Sequence, residues 1–265
     1  MALPSLANAR EHLAAAPERP VARLGEWLGA YGPALIVLTL PLEFTAKFMG
    51  QPLVRWVIVL VAVALGYLVL TGRRRLAVPR QASVIWLAVF VAVSIVSWLV
   101  TRAPSSYKAF ADVALYPLFG LMVYNLVTSD GGHRRAWTAF LVSGLGVASV
   151  GLVLEVGHLH IWTPNPIVAN RLNITFADPN ITARFLTLVA AAAIVLFATR
   201  RAPAWLCVVS GAACAVVEPM TWSRSGLALF IVTAVIAAVV AAPRRRGVAI
   251  ALAILAVFAF STVVN

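Results

Sequence analysis

Two short polar segments interrupt an otherwise apolar chain. The first is Arg171-Leu-Asn-Ile-Thr-Phe-Ala-Asp-Pro-Asn-Ile-Thr-Ala-Arg184, and the second is Thr221-Trp-Ser-Arg-Ser-Gly226. Polar and charged groups set against a hydrocarbon slab are costly and usually mark a site. A guanidinium never loses its charge, and its planar fork of donors matches phosphate oxygens. Arg171, Arg184 and Arg224 therefore point to binding of an anion, with Asn180 and Ser223 as neutral partners. Asp178-Pro179-Asn180 reads as a helix start, since Asp is a preferred N-cap and Pro is favoured at the first helical position. Asn180 and Arg184 then share a face at i, i+4. Free backbone N–H groups at the positive helix end would add to the attraction for an anion, and Arg171 approaches the same place from the preceding loop. The plainer reading makes Asp178 a cap only and lets Arg184 snorkel to the headgroups. In the second segment, Glu218-Pro219 closes one apolar run and Ser223-Arg224-Ser225-Gly226 opens the next, so the two runs form an antiparallel hairpin. Glu218 is a candidate counter-charge for Arg224, whether in a site or as a simple structural pair. Ser223 and Ser225 either line the site or satisfy backbone groups at the turn.

The elements that must position these residues are membrane helices. Of 265 residues, 62% are hydrophobic and 11% charged, with a mean hydropathy of +0.94; a soluble domain carries about 25% charged residues. The fold class expected is all-α, a polytopic transmembrane helical bundle. Nine runs have the length that a spanning helix needs: 33–49, 53–71, 82–101, 109–128, 136–155, 181–199, 204–221, 225–242 and 248–264. Their continuity argues against a membrane β-barrel, whose segments alternate. Residues 1–32, with Pro4, Pro17 and Pro20, read as a cytoplasmic tail rather than a cleavable signal. Residues 33–265 form one transmembrane domain, without linker or internal repeat.

Charge sets the orientation. With a cytoplasmic N-terminus, the inside segments hold Arg10, Arg19, Arg23; Arg73, Arg74, Arg75, Arg80; Arg134, Arg135; Arg200, Arg201; and Arg244, Arg245, Arg246, which is fourteen of the 21 basic residues. The positive-inside rule favours that arrangement, with the C-terminus extracytoplasmic and the chain in the cell inner membrane. Both polar segments then fall on the outer face, with Glu43, Asp112, Glu155, Asp178 and Glu218 at or near it. The net charge of +12 lies mostly in short loops, where anionic lipid and insertion bias explain it and nucleic acid does not.

Other features read as structural. Cys207 and Cys214 stand two helical turns apart, about 10 Å, too far for a disulfide. Gly144, Gly146, Ala148 and Gly151 make a small-residue packing face, and most tryptophans fall near span ends. His158 and His160 lie in the loop before Arg171 and read as surface residues. The Asn-x-Thr sequons at Asn173 and Asn180 read as chance. No metal-ligand spacing and no nucleotide-binding or nucleophile motif is present, so no metal and no cofactor is expected.

A loop Arg, an Asp-Pro-Asn helix start and a Ser-Arg-Ser-Gly turn one hairpin later resemble the bacterial O-antigen ligase/O-antigen polymerase superfamily. The matching pieces are Thr175-Phe-Ala-Asp-Pro-Asn180, Arg184 and Thr221-Trp-Ser-Arg-Ser-Gly226. The specific match covers residues 171–230 within a family-like segment 171–265. The first five spans agree only in number and topology. The resemblance implies a membrane glycan transferase. Such an enzyme moves a glycan from undecaprenyl diphosphate to an acceptor hydroxyl on a lipid, polymer or protein at the extracytoplasmic face. Arg184 and Arg224, with Arg171, would hold the diphosphate, and Asp178, Asn180 and Ser223 would complete the binding set. The family has about twelve spans, with a large outer loop carrying a candidate catalytic His that would lie beyond Asn265. The expectation is therefore a chain covering about nine of those spans, with its catalytic part elsewhere. The competing expectation, from the same outward-facing charges, is a transporter or flippase for an anionic lipid or small anion.

Overall fold

The computed structural model describes residues 20–79, 82–101, 117–159, 161, 171–176, 178–241 and 245–264. They are overwhelmingly helical: α1 (Pro20–Thr39), α2 (Leu53–Leu70), α3 (Ala82–Thr101), α4 (Pro117–Leu126), α5 (Asp130–Val156), α6 (Pro179–Thr199), α7 (Ala204–Val217), α8 (Arg224–Ala241) and α9 (Arg245–Val264). Among the described residues, six helices are long and apolar enough to cross a membrane, the build of a multi-pass membrane protein. They correspond to the expected runs 53–71, 82–101, 136–155, 181–199, 204–221 and 225–242. The run at 109–128 is described only as α4, and the last run falls on α9.

The first expected run, 33–49, takes a different shape. Its helix begins at Pro20, inside the expected tail, and ends at Thr39. A 3-10 turn (Leu40–Leu42) follows, then a hairpin of β1 (Lys47–Phe48) and β2 (Gln51–Pro52), antiparallel with Phe48 opposite Gln51. Met49 and Gly50 both have positive φ, 51° and 75°, as a two-residue hairpin turn requires. The helix starts early because its inner face is glycine, which hydropathy undervalues. A Cβ on Gly32 would come within 2.6 Å of Val61 Cγ2, and one on Gly29 within 2.8 Å of Leu68 Cδ1. Those absent methyls let α1 lie against α2.

Among apolar helices in a bilayer, close packing rather than exclusion of water drives association. The same device therefore recurs. A Cβ at Gly144 of α5 would meet Val189 of α6 at 2.3 Å, and one at Gly211 of α7 would meet Ile254 of α9 at 2.5 Å. Gly151 does the same against Ile174 and Val217, whereas Gly146 has open space around it. Ser210 donates to the Leu141 carbonyl and Ser261 to that of Val216, tying α7 to α5 and to α9. Cys207 and Cys214 are free and buried in this core.

One apolar core unites α5 to α9, with α6 touching all the others, and a smaller core unites α1, α2 and α4. None of the apolar window of α3 is buried. α6 and α8 run parallel: a Cβ on Gly226 would meet Ala183 near their starts, and Gly247 lies beside both Ala198 and Ala241 near their ends. α5 and α7 run the other way, their starts sharing a cavity with Arg200 and Arg201 at the end of α6. The chain thus gathers Arg134, Arg200, Arg201 and Arg245 at one end, with Arg73 to Arg75 after α2. Arg171, Arg184 and Arg224 lie at the other.

Candidate functional site

The two polar segments, separate in sequence, are stitched together. Leu172 N–H donates to the Met220 carbonyl (3.3 Å), and Arg171 Nε donates to that of Thr221 (3.1 Å). Asn180 Oδ1 accepts from Ser223 Oγ at 2.8 Å and from Arg171 Nη2 at 3.4 Å. A guanidinium only donates, so the amide orientation is chemically required. Ser223 Oγ also accepts the Gly226 N–H at 3.1 Å, capping α8, and lies 3.4 Å from Ser225 Oγ. Thr182 Oγ1 donates to the Asn173 carbonyl at 2.6 Å, fixing the loop to the first turn of α6. Five of the six expected site residues thus lie on two adjoining helix starts, and the sixth, Arg171, links them.

Asp178 is the N-cap of α6, and Pro179 takes the first helical position. Its Oδ1 accepts from Asn180 N at 2.7 Å and Ile181 N at 3.4 Å. This corrects one expectation: two of the N–H groups thought free to attract an anion are occupied by the chain's own carboxylate. The positive charge left for a ligand comes from side chains. Arg184 and Arg224 are both exposed, and neither has a partner among the described residues. Arg184 directly follows Ala183, and Arg224 stands two residues before Gly226, so both flank the closest approach of α6 and α8.

The expected Glu218–Arg224 contact does not form. Glu218 is fully buried, and neither carboxylate oxygen has a hydrogen-bond partner among the described residues. Its Oε1 lies 2.8 Å from where a Gly226 Cβ would stand, beside Ser223 Cβ and Ala183 Cβ. The carboxyl therefore sits beneath the α6–α8 crossing while Arg224 faces outward from the first residue of α8. Buried polar groups are almost always paired, and an unpaired carboxyl is the costliest exception. Among the described residues, the amide of Asn173, 2% exposed, has no partner on either atom, and the buried Thr175 hydroxyl has none either. A buried Asn173 side chain accords with reading its sequon as chance.

Backbone conformation adds to the pattern. Ile174 and Trp222, one in each segment, have φ of 48° and 51°. Left-handed backbone is rare for large side chains, above all β-branched ones, and such residues cluster at functional sites. Ile174 is held there by its side chain, which fills the space left open by Gly151. Trp222 projects its ring outward, 62% exposed.

Comparison with protein families, curated proteins and solved structures finds no match for this chain. Function must therefore be argued from the site itself.

Sequence reasoning picked out the three arginines, Asp178, Asn180 and Ser223, and gave no site role to Asn173, Thr175, Thr182 and Thr221. A signal existed, since each is a polar residue beside or within an apolar run, but threonine and asparagine near a turn have many uses. His158 is exposed at the end of α5 with a φ of 49°; His160 lies outside the described residues. Among the described residues no three side chains gather as metal ligands.

Proposed function

We propose that the site binds the diphosphate of a lipid-linked glycan at the extracytoplasmic face. The chain would then form the membrane part of an O-antigen-ligase-like glycan transferase in the inner membrane, with about nine spans and a cytoplasmic N-terminus. One observation carries the reading. Asn180 draws Arg171 and Ser223 into one network, while Arg184 and Arg224 stay exposed and unpartnered beside it. Two cations beside a hydrogen-bonded polar floor suit an anion bearing several oxygens, and bidentate phosphate recognition is what arginine does best. When the glycan leaves its carrier, charge develops on the diphosphate, and cations already in place stabilise it without reorganising. The acceptor hydroxyl and the base that takes its proton are not assigned to any residue here.

The test is genetic and biochemical. Loss of the gene should make lipid-linked glycan accumulate, and Arg184→Ala or Arg224→Ala should reproduce this at normal protein levels. Wild-type transfer in both variants would overturn the assignment. Substrate flux into vesicles with no acceptor present would instead favour a transporter.

A further inference from the structure

At the arginine-rich end, a cavity of about 1270 Å³ opens between α1, residues 71–79, α4 and α5. Its walls are apolar, with Val37, Phe119 and Phe140 among them, and Arg73, Arg74, Arg75 and His133 line it too. Phe140 lies ten residues along α5 from Asp130, about 15 Å in at 1.5 Å per residue. The cavity is thus a greasy slot with a basic mouth.

The mouth is built. Asn125, 6% exposed, accepts the Ala77 N–H on Oδ1 at 2.7 Å and donates from Nδ2 to the Ala77 carbonyl at 2.9 Å. One side chain thereby pins the 71–79 linker as a neighbouring strand would. Arg74 Nη1 closes the clamp on the Asn125 carbonyl at 2.7 Å, and Arg73 pairs with Glu26. Arg75 alone of the three has no partner among the described residues. Next to it, a second cavity of about 420 Å³ shares His133 and Trp137 and is lined by Arg134, Arg200 and Arg201, none of which has a side-chain partner among the described residues. Asp130 is its only acid among the described residues.

We propose that this cavity holds an anionic phospholipid, with an acyl chain along the apolar wall and the phosphate at Arg75 and His133. Charge complementarity selects the occupant. A neutral lipid would leave the cluster of arginines unanswered, and a free phosphate would leave the apolar slot empty. Basic pockets between membrane helices are suited to acidic headgroups, and this mouth lies at the end where charge bias places the anionic leaflet. The site depends on the chain being a membrane protein, not on the transfer reaction.

The full chain, purified in neutral detergent, is titrated with phosphatidylglycerol, with phosphatidylcholine of the same acyl chains, and with inorganic phosphate, and bound lipid is counted by native mass spectrometry. Phosphatidylglycerol is expected to bind at least tenfold more tightly than either control. Arg75→Gln should weaken it about fivefold, equivalent to about 1 kcal/mol per basic side chain near an acidic surface. Lys47→Gln, which removes the same charge at the opposite end, should leave it unchanged. Gly120→Phe should also block binding: Gly120 lines the cavity, and with nothing within 4 Å of an added Cβ there is room for the larger side chain. Equal binding of phosphatidylcholine, full competition by phosphate, equal effects of Arg75→Gln and Lys47→Gln, or no effect of Gly120→Phe would each overturn the proposal.

Discussion

Asn180 and Asn125 are amides in apolar surroundings at opposite ends of the bundle, and they are used in opposite ways. Asn180 collects side chains, Arg171 from a loop and Ser223 from a distant helix start, and so welds two segments into one polar floor. Asn125 collects only backbone, the Ala77 N–H and carbonyl and the Leu121 carbonyl, and so pins a linker. Beside Asn180 the arginines left over are single and spaced; beside Asn125 they come in runs. Where side chains bond one another, their positions are set for a particular ligand. Where the backbone alone is held, Arg75, with no partner among the described residues, is left to follow an irregular surface of headgroups. The difference separates a site from a mooring.

The contrast can be broken by matched substitutions. Arg184→Ala or Arg224→Ala should lower glycan transfer by about 10²–10³-fold, the scale for removing one preorganised stabilising group, without loss of thermal stability. Arg245→Ala, at the other end, should leave transfer intact. Equal losses from all three would erase the distinction between the ends. Asn180→Ala should reduce transfer about tenfold, the scale of one hydrogen bond, because Arg171 and Ser223 each lose one bond while keeping those to the Thr221 carbonyl and the Gly226 N–H. Asn125→Ala should spare transfer and lower stability by about 1–3 kcal/mol, the cost of leaving buried backbone groups unpaired, as read from a melting curve in detergent. Gly144→Ala should cost about 1–3 kcal/mol by overpacking and be largely rescued by Val189→Ala, whose side chain supplies the clash. The smallest effect belongs to Asp178→Ala, about 1 kcal/mol for a lost N-cap. Asp178→Ser should restore stability if capping is its whole role, and transfer should follow stability in both variants.

Much of the frame was legible in the residues. Runs of apolar side chains placed six span-length helices, and Asp178-Pro179 marked a helix start to the residue. Alternating arginines sorted the loops into two ends, and the packing of α5 to α9 sorts the same charges alike. Legibility failed wherever a residue's role depends on what lies across from it. Residues 1–32 read as a tail, yet Gly25, Gly29 and Gly32 are part of the buried face of α1. Glu218 and Arg224 read as partners because opposite charges close in sequence often pair, but the turn at Pro219–Thr221 turns one inward and leaves the other outside. Asn125 drew no notice, although a lone amide in an apolar stretch was the available clue. The Asn180–Ser223 bond spans 43 residues and exists only because Gly226 lets α8 touch α6.

That bond also has a place in time. A ribosome adds about 5–20 residues per second, so the 43 residues between Asn180 and Ser223 take about two to nine seconds to make. Until they are made, the loop lacks the serine that Asn180 will accept from and the Thr221 carbonyl that Arg171 will hold. The polar floor is therefore a late event in biogenesis, closed by the arrival of Ser223 at the start of α8. A nascent chain halted before Ser223 would display Arg171 and Asn180 without their shared partner, a state that proteolysis or a quality-control factor could tell from the finished bundle.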